Sequence, residues 1–317
     1  MILSSLENPI FLGRYYSKTG IIPQDQLPRG EDKMILAYCI IQANEKYSFR
    51  RVFENMELSS LDQANRLIPD GVYTTFRTYE KFYVLDLEGH FDRLEQSARL
   101  IQREVKLNRI EIRRVLRKLI ENFPAQEARV RISIPLVLDD TRKIEIYIFL
   151  ENLIVPSLQD YQKGVRVITM RMQRENPNAK TTSFIHAADE IRQKLPKGIN
   201  EVVMVGENGR MLEGLSSNFF AVKGGVVYTD DGHGLAGITR KHVLEIVREL
   251  KIPCTLEGVL YTDVPILEEA FITSTSRGVL PVCQIDDQII GQGNAGKFTR
   301  IIMQQYQEKI KRMAEPI

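Results

Sequence analysis

The sequence predicts an α+β protein built as two unequal parts. Three observations carry this. Strand-length runs rich in β-branched and aromatic residues recur along the chain, as in 47–53, 72–79 and 165–170. Apolar residues at helical spacing follow several of them, as in Val243, Ile246, Val247 and Leu250. A connector over 151–159, carrying Pro156, separates two such groups. The divisions that result are an arm over 1–45, a small domain over 46–155 and a large domain over 156–317.

Composition narrows the class further. The 317 residues are 43% hydrophobic and 26% charged, enough apolar material for the core of one large or two ordinary domains. A net charge of +2 gives no general attraction to nucleic acid or membrane. Cys39, Cys254 and Cys283 are odd in number and lack Cys-x-x-Cys spacing. That argues against a disulfide framework or zinc site and favours the cytoplasm. Met1-Ile2-Leu3, followed by serines and Glu7, is not a signal peptide. No apolar run reaches the roughly 18 residues of a membrane helix. His90, His186, His233 and His242 show no metal spacing, so no metal is expected.

Within the arm, Pro9, Gly13, Gly20, Pro23, Pro28 and Gly30 break the early residues into loop. Met34, Ile35, Ala37, Ile40 and Ile41 suit one helix over 33–44. After the strands 47–53 and 72–79, the pattern continues in 81–87. His90-Phe91-Asp92-Arg93-Leu94 then opens a helix with Phe91, Leu94, Ala98 and Ile101 on one face and Arg93 on its flank. A second helix covers 111–122. The basic residues of 103–118 are interspersed with acids and lack a stacking set of aromatics, so a solvated helix face is expected. Strands 130–138 and 143–150 form a hairpin around Asp139-Asp140.

In the second part, strand 165–170 leads through a polar loop to Lys180. Thr181-Thr182-Ser183 follow and start a helix with Ile185, Ala188, Ile191 and Leu195. Strand 201–205 and the turn Asn208-Gly209 deliver the chain to 211–240. This stretch reads as strand, tight loop, strand, turn, strand, glycine-rich loop and helix start. Glu213 and Gly214 mark its first corner, and Gly237-Ile238-Thr239-Arg240 its end. Free N–H groups at a helix start behind a glycine loop, with the helix dipole, suit a phosphate. A phosphate seat and a fixed acid close in sequence suggest a cofactor with a phosphate at one end and a basic ring nitrogen at the other. After residues 254–260, strand 270–272 runs into the hydroxyl-rich turn 273–278, and a helix over 297–313 closes the chain.

Together these residues resemble the class IV, fold type IV family of pyridoxal-phosphate enzymes. Its members include branched-chain and D-amino-acid aminotransferases and 4-amino-4-deoxychorismate lyases. The blocks carrying the resemblance are Asp70-Gly71-Val72-Tyr73 with Arg77, His90 to Leu94, Leu212-Glu213-Gly214 to Asn218-Phe219, and Gly237 to Arg240. They stand in the family's order, with a lysine at the family's place.

The resemblance implies a smaller N-terminal α/β domain covering a larger C-terminal pseudo-barrel domain, with pyridoxal 5'-phosphate between them. It makes Lys180 the residue that binds the cofactor covalently and Glu213 the partner of its ring nitrogen. Arg93, the N–H groups of Ile238 and Thr239, and the Thr275 hydroxyl would hold the phosphate. Ser217 would lie near the ring. Tyr73 and Arg77 would face the substrate, and Arg277, which departs from the family pattern, would join Arg77 toward a carboxylate. The implied substrates are an amino acid, branched-chain-like, and a 2-oxo acid, and the implied assembly is a homodimer.

The residues fit these roles physically. Partial burial of Lys180 beside Ala179 would favour its neutral, nucleophilic form. An ionised Glu213 would keep the ring nitrogen protonated, so that the ring withdraws electrons. Taken singly, each residue also has a plainer reading: Lys180 as a surface lysine, Glu213 as a hairpin acid, Arg93 as a solvated arginine and Thr275 as a turn cap.

The sequence also departs from the family pattern. Thr74-Thr75 stands where aminotransferases often carry Glu, and the lyases tend to have threonines there. Ile68-Pro69 replaces an aromatic-glycine pair, and Phe184 stands near a tyrosine position of the branched-chain enzymes. Arg277 stands where a small residue is common. Release of pyruvate from aminodeoxychorismate is therefore the alternative activity. A non-catalytic binding protein that keeps the fold is the alternative of another class.

Overall fold

The computed structural model describes residues 35–43, 46–53, 56–136 and 143–317, together with the short strands Tyr16–Ser17 and Gly20–Ile21. The expected loop over the early residues and the turn at Asp139-Asp140 lie outside them, apart from that short pair of strands.

The first sheet is antiparallel throughout. Its order is Lys46–Val52, Ile35–Ala43, Lys143–Asn152, Ala128–Pro135, Gly71–Arg77. Helices Leu87–Leu100 and Arg109–Glu121 cover one face, burying Phe91, Leu94 and Leu116 with Phe76, Val130 and Ile148. Alternation along Ala128–Pro135 explains the other face. Val130, Ile132 and Ile134 join the core under the helices, so Arg129, Arg131 and Ser133 point the opposite way.

The helix expected over 33–44 is corrected by the structure, which has the strand Ile35–Ala43 there. Both faces of this strand are covered: Ile40 belongs to the core under the helices, and Ala37 packs in the cluster of Phe149 and Leu61. A strand buried on both sides places apolar residues at helical as well as alternate spacing, so periodicity does not separate the two.

The second sheet closes on itself. From Met211–Gly214 it passes through Ile199–Val205, Val165–Arg171, Gly278–Ile285, Glu269–Ser274 and Asn218–Lys223. The pairing of Glu213 with Asn218 then returns it to the first of these strands. Val165–Arg171 is parallel to both its neighbours. The helix Thr182–Arg192 makes the crossover to Ile199–Val205. Helices Ile238–Glu249 and Lys297–Met313 pack on the stacked pair Phe220 and Phe271, whose ring centroids are 4.8 Å apart. Burying each such ring is worth about 1.5–3 kcal/mol.

Two backbone threads are among the links that join the two parts. The Tyr73 N–H donates to the Lys180 carbonyl at 3.0 Å, and Val72 bridges Thr181. At the far end of the chain, Ala314–Pro316 pairs with Tyr83–Leu85. The first thread brings the arginine-bearing face of one sheet over the closed end of the other.

Candidate active site

Lys180 sits just before Thr181, the N-cap of the helix Thr182–Arg192. Its backbone is fixed on both sides. The N–H donates to Ser97 Oγ at 3.1 Å, and the carbonyl accepts from Tyr73. The amine lies 4.5 Å from the centroid of the Tyr73 ring. Burial holds this amine well below the ordinary lysine range. The charges of Arg93, Arg174 and Arg131 add to the effect, and Glu213 opposes it.

Glu213, only 2% exposed, lies in the strand Met211–Gly214. Its Oε2 accepts the Leu235 N–H at 3.1 Å. Its Oε1 lies 2.7 Å from Arg174 Nε. The two form a buried ion pair at a distance short enough for a hydrogen bond but without the geometry of a well-aligned one. Burial pushes the carboxyl up from its ordinary value, while Arg174 and the Leu235 N–H pull it back. Gly214 follows because a Cβ there would overlap Ser217 Oγ and Glu201.

Arg93 makes a further part of the cavity wall cationic. Arg93 Nη2 donates to Thr74 Oγ1 at 2.7 Å and approaches His90 Nδ1 at 3.2 Å, and Thr74 Oγ1 meets the same nitrogen at 2.8 Å. Burial, followed by the Arg93 charge, holds His90 well below its ordinary pKa, so it is neutral. Nδ1 is then the acceptor, which places the ring proton on Nε2. Burial draws Arg93 down to about 10, which leaves it charged at neutral pH.

Also in the wall is the start of the helix Ile238–Glu249, which no side chain caps. Its first N–H groups and the positive end of its dipole are available to an anion. Gly237 is required there, because a Cβ would overlap Asn218 Oδ1. Thr275 Oγ1 donates to the Thr75 carbonyl at 2.9 Å.

Lys180, Glu213, Arg93, Ile238, Thr239 and Thr275 line one cavity of about 380 Å³, within the range of small-molecule sites. Ser217, Tyr73 and Arg277 line it too. Ser217 Oγ donates to Glu201 Oε2 at 3.0 Å. Arg277 is tied up around the same acid: its Nη2 donates to Glu201 Oε2 at 2.9 Å and to Ser216 Oγ at 2.8 Å, and its Nη1 donates to Asn200 at 3.1 Å. Arg77 is not brought to this cavity. It pairs with Glu127, donates to the Ser276 carbonyl at 3.3 Å and lies over Tyr79.

Three residues of the site escaped the sequence reading. Arg174 and Glu201 gain meaning only from partners distant in sequence. Arg131 had a signal: in the strand it alternates with apolar residues, so it faces away from the helices. It donates to the Leu61 carbonyl at 3.0 Å and pairs with Asp62 at 2.6 Å.

Buried polar atoms without a hydrogen-bond partner gather on residues that line this cavity: Glu213 Oε1, Arg93 Nε, Arg174 Nη1 and Thr273 Oγ1. Buried polar atoms are normally paired. An open carboxylate oxygen and open cationic N–H groups suit a ligand with a protonated nitrogen and anionic oxygens.

The family model for amino-transferase class IV matches residues 71–285, more than half of the chain. The chain belongs to the class IV amino-transferases. A putative branched-chain-amino-acid aminotransferase of Methanocaldococcus jannaschii is 27% identical over 76% of this chain and 88% of that protein. An aminodeoxychorismate lyase of Bacillus subtilis is 27% identical over 77% of this chain and 86% of that protein. The crystal structure of a putative branched-chain amino acid aminotransferase of Thermotoga maritima superposes with a TM-score of 0.68. It is 26% identical and covers 86% of this chain and 96% of that chain.

As a class IV amino-transferase, the protein is an enzyme of fold type IV and uses pyridoxal phosphate. The open acceptor on Glu213 and the cationic wall at Arg93 and Gly237 fit the two ends of that cofactor.

Proposed function

We propose that this class IV amino-transferase moves an amino group between an amino acid and a 2-oxo acid, with branched-chain amino acids as donors. The observation that carries the reading is the meeting of Lys180 and Glu213 in one cavity with Arg93 also in its wall. The apolar part of the wall, Phe184, Ile185, Ala188 and Leu215, supports an aliphatic donor.

Bound pyridoxal phosphate supplies an electron sink that acidifies the substrate α-carbon and accepts its amino group. Arg93 and the N–H groups of Ile238 and Thr239 would hold the phosphate, and Glu213 Oε1 would accept a hydrogen bond from the protonated ring nitrogen. Lys180 Nζ, its pKa lowered by burial and its cationic neighbours, would hold the cofactor and then carry the α-carbon proton. Such a positioned base contributes about 10²–10⁴ in rate. Thr74 and neutral His90 orient Arg93. Ser217 and Arg277, bound to Glu201, fix the mouth of the cavity.

The test is chemical. Protein loaded with pyridoxal phosphate and reduced with borohydride should carry the label on the peptide containing Lys180. Lys180→Ala should keep its fold, lose the label and lose turnover of leucine with 2-oxoglutarate. Label on another lysine, or wild-type turnover in the variant, would refute the reading.

The lyase reading has its own support: Thr75 itself is no acid and lines the cavity beside Arg131 and Arg129, which pair with Asp62 and Glu151. Pyruvate release from aminodeoxychorismate, without glutamate formation from leucine and 2-oxoglutarate, would select it.

The same reading extends to the whole protein as a cytoplasmic homodimer. Free Cys39, Cys254 and Cys283 support a reducing compartment. Light scattering should give twice the 36.5 kDa chain mass. We divide the chain near residue 155, with the strand Ile35–Ala43 joining the small unit because it lies within that sheet. Arg109 and Arg113 are paired with Glu88, Glu95 and Glu315, which supports a solvated face there and no nucleic-acid partner.

A further inference from the structure

We propose that Arg174 belongs to the cofactor site, as the cation facing both Glu213 and the phenolic oxygen of the bound pyridine ring. This rests on reading the cavity as the pyridoxal-phosphate site. Arg174 is as dry as its partner, with side-chain exposures of 5% and 3% for Arg174 and Glu213. Its Nε touches Glu213 Oε1 at 2.7 Å without a directed hydrogen bond, and its Nη1 has no hydrogen-bond partner. Buried N–H groups of an arginine are rarely left open.

The position of the guanidinium is fixed. Its Cζ lies 3.6 Å from the centroid of the Phe184 ring, a stacking contact that holds the plane of the group. It lines the same cavity as Lys180 and stands close enough to disfavour a charge on that amine.

Pyridoxal phosphate carries its phenolic oxygen on the ring carbon beside the one that meets the lysine. A cation near both Lys180 and Glu213 is therefore near the edge of the ring that joins the nitrogen to that oxygen. Two of the other lining residues are poorly suited to that oxygen. Phe184 has no hydroxyl, and the hydroxyl of Ser217 donates to Glu201. A cation there favours the ionised oxygen and lowers the pH at which the proton shared between that oxygen and the bound lysine nitrogen is lost.

The experiment follows the visible absorption band of the loaded protein against pH for wild type, Arg174→Met and Arg174→Lys. Cofactor affinity of the apo forms is measured in parallel. The Met variant should move the spectral midpoint up by about one pH unit or more and bind pyridoxal phosphate at least ~10-fold more weakly. The Lys variant should fall between the two. A Met variant that binds the cofactor and keeps the wild-type midpoint overturns the proposal, even if its affinity drops, because a merely structural role gives that result. Should circular dichroism show the Met variant unfolded, the Lys variant decides: a raised midpoint supports the proposal and a wild-type midpoint refutes it. A wild-type protein that gains no visible band with pyridoxal phosphate would instead sink the cofactor reading itself.

Discussion

At Lys180 a side chain that is normally charged is enclosed among Arg93, Arg174 and Arg131. Its folded-state pKa is depressed while the unfolded value is ordinary, so folding of the apo-protein releases a proton below the ordinary lysine range. Stability then rises with pH through the window from the depressed value up to about 10.5. Apo Lys180→Met should therefore melt higher than wild type at pH 7, by about 0.5–2 kcal/mol, and the gap should narrow as pH nears the lysine range. Calorimetry at several pH values checks this. Glu201 shows the opposite sign. Burial raises it, but Arg277, Arg192 and Ser216 outweigh that and hold it below the ordinary glutamate value. Its stabilisation is present above about 4.5 and lost as pH falls toward the depressed value. Glu201→Gln leaves Arg277 partly unpaired in a buried place, so unfolding titrations at neutral pH should show a loss of about 3–5 kcal/mol. Lys180 and Glu213 were legible because each sits in a short motif. Arg174 and Glu201 were not, because each acts through a residue about 40 or more positions away and no local pattern marks them.

At the scale of single elements, the phosphate end depends on one uncapped helix start. Gly237→Ala would drive a methyl group into Asn218 Oδ1 and displace the first N–H groups of the helix Ile238–Glu249. Pyridoxal-phosphate affinity, read by fluorescence titration, should fall by about tenfold or more, equivalent to ~1.4 kcal/mol. The element sequence of 211–240 was legible because its glycines and its Asn218–Lys223 and Val226–Tyr228 strands punctuate it sharply. The strand Ile35–Ala43 reads as helix in the sequence because both its faces are covered. Gly278–Ile285, a central strand of the closed sheet, was passed over between a hydroxyl-rich turn and the final helix. Its apolar run Val279 to Val282 carries Pro281, which weakens a strand signal in sequence.

At the scale of the whole molecule, the last residues tie the second part of the chain back to the first. Ala314–Pro316 pairs with Tyr83–Leu85, Ile317 N–H donates to the Phe82 carbonyl at 2.9 Å, and Glu315 accepts the Leu87 N–H at 3.0 Å. Removing residues 314–317 deletes these bonds. At about 1 kcal/mol each for the two or so that count fully, the melting temperature should drop by roughly 3 °C, read by thermal denaturation. The change in texture around Pro156 marks in the sequence where the first sheet ends, at Asn152, and the second begins, at Val165. The way the parts interlock was not legible, because Tyr73, Lys180 and Glu315 meet their partners only in space.

One of those meetings limits how the enzyme can open. The Tyr73 amide and the Lys180 carbonyl moor the reactive amine to the very sheet that would swing aside in a clamshell motion. Swinging that sheet would carry the nitrogen away from Glu213, so we expect substrates to enter while the two sheets stay docked. Deuterium uptake at the Tyr73 amide should then stay slow even during turnover, and rapid uptake there would speak for the clamshell.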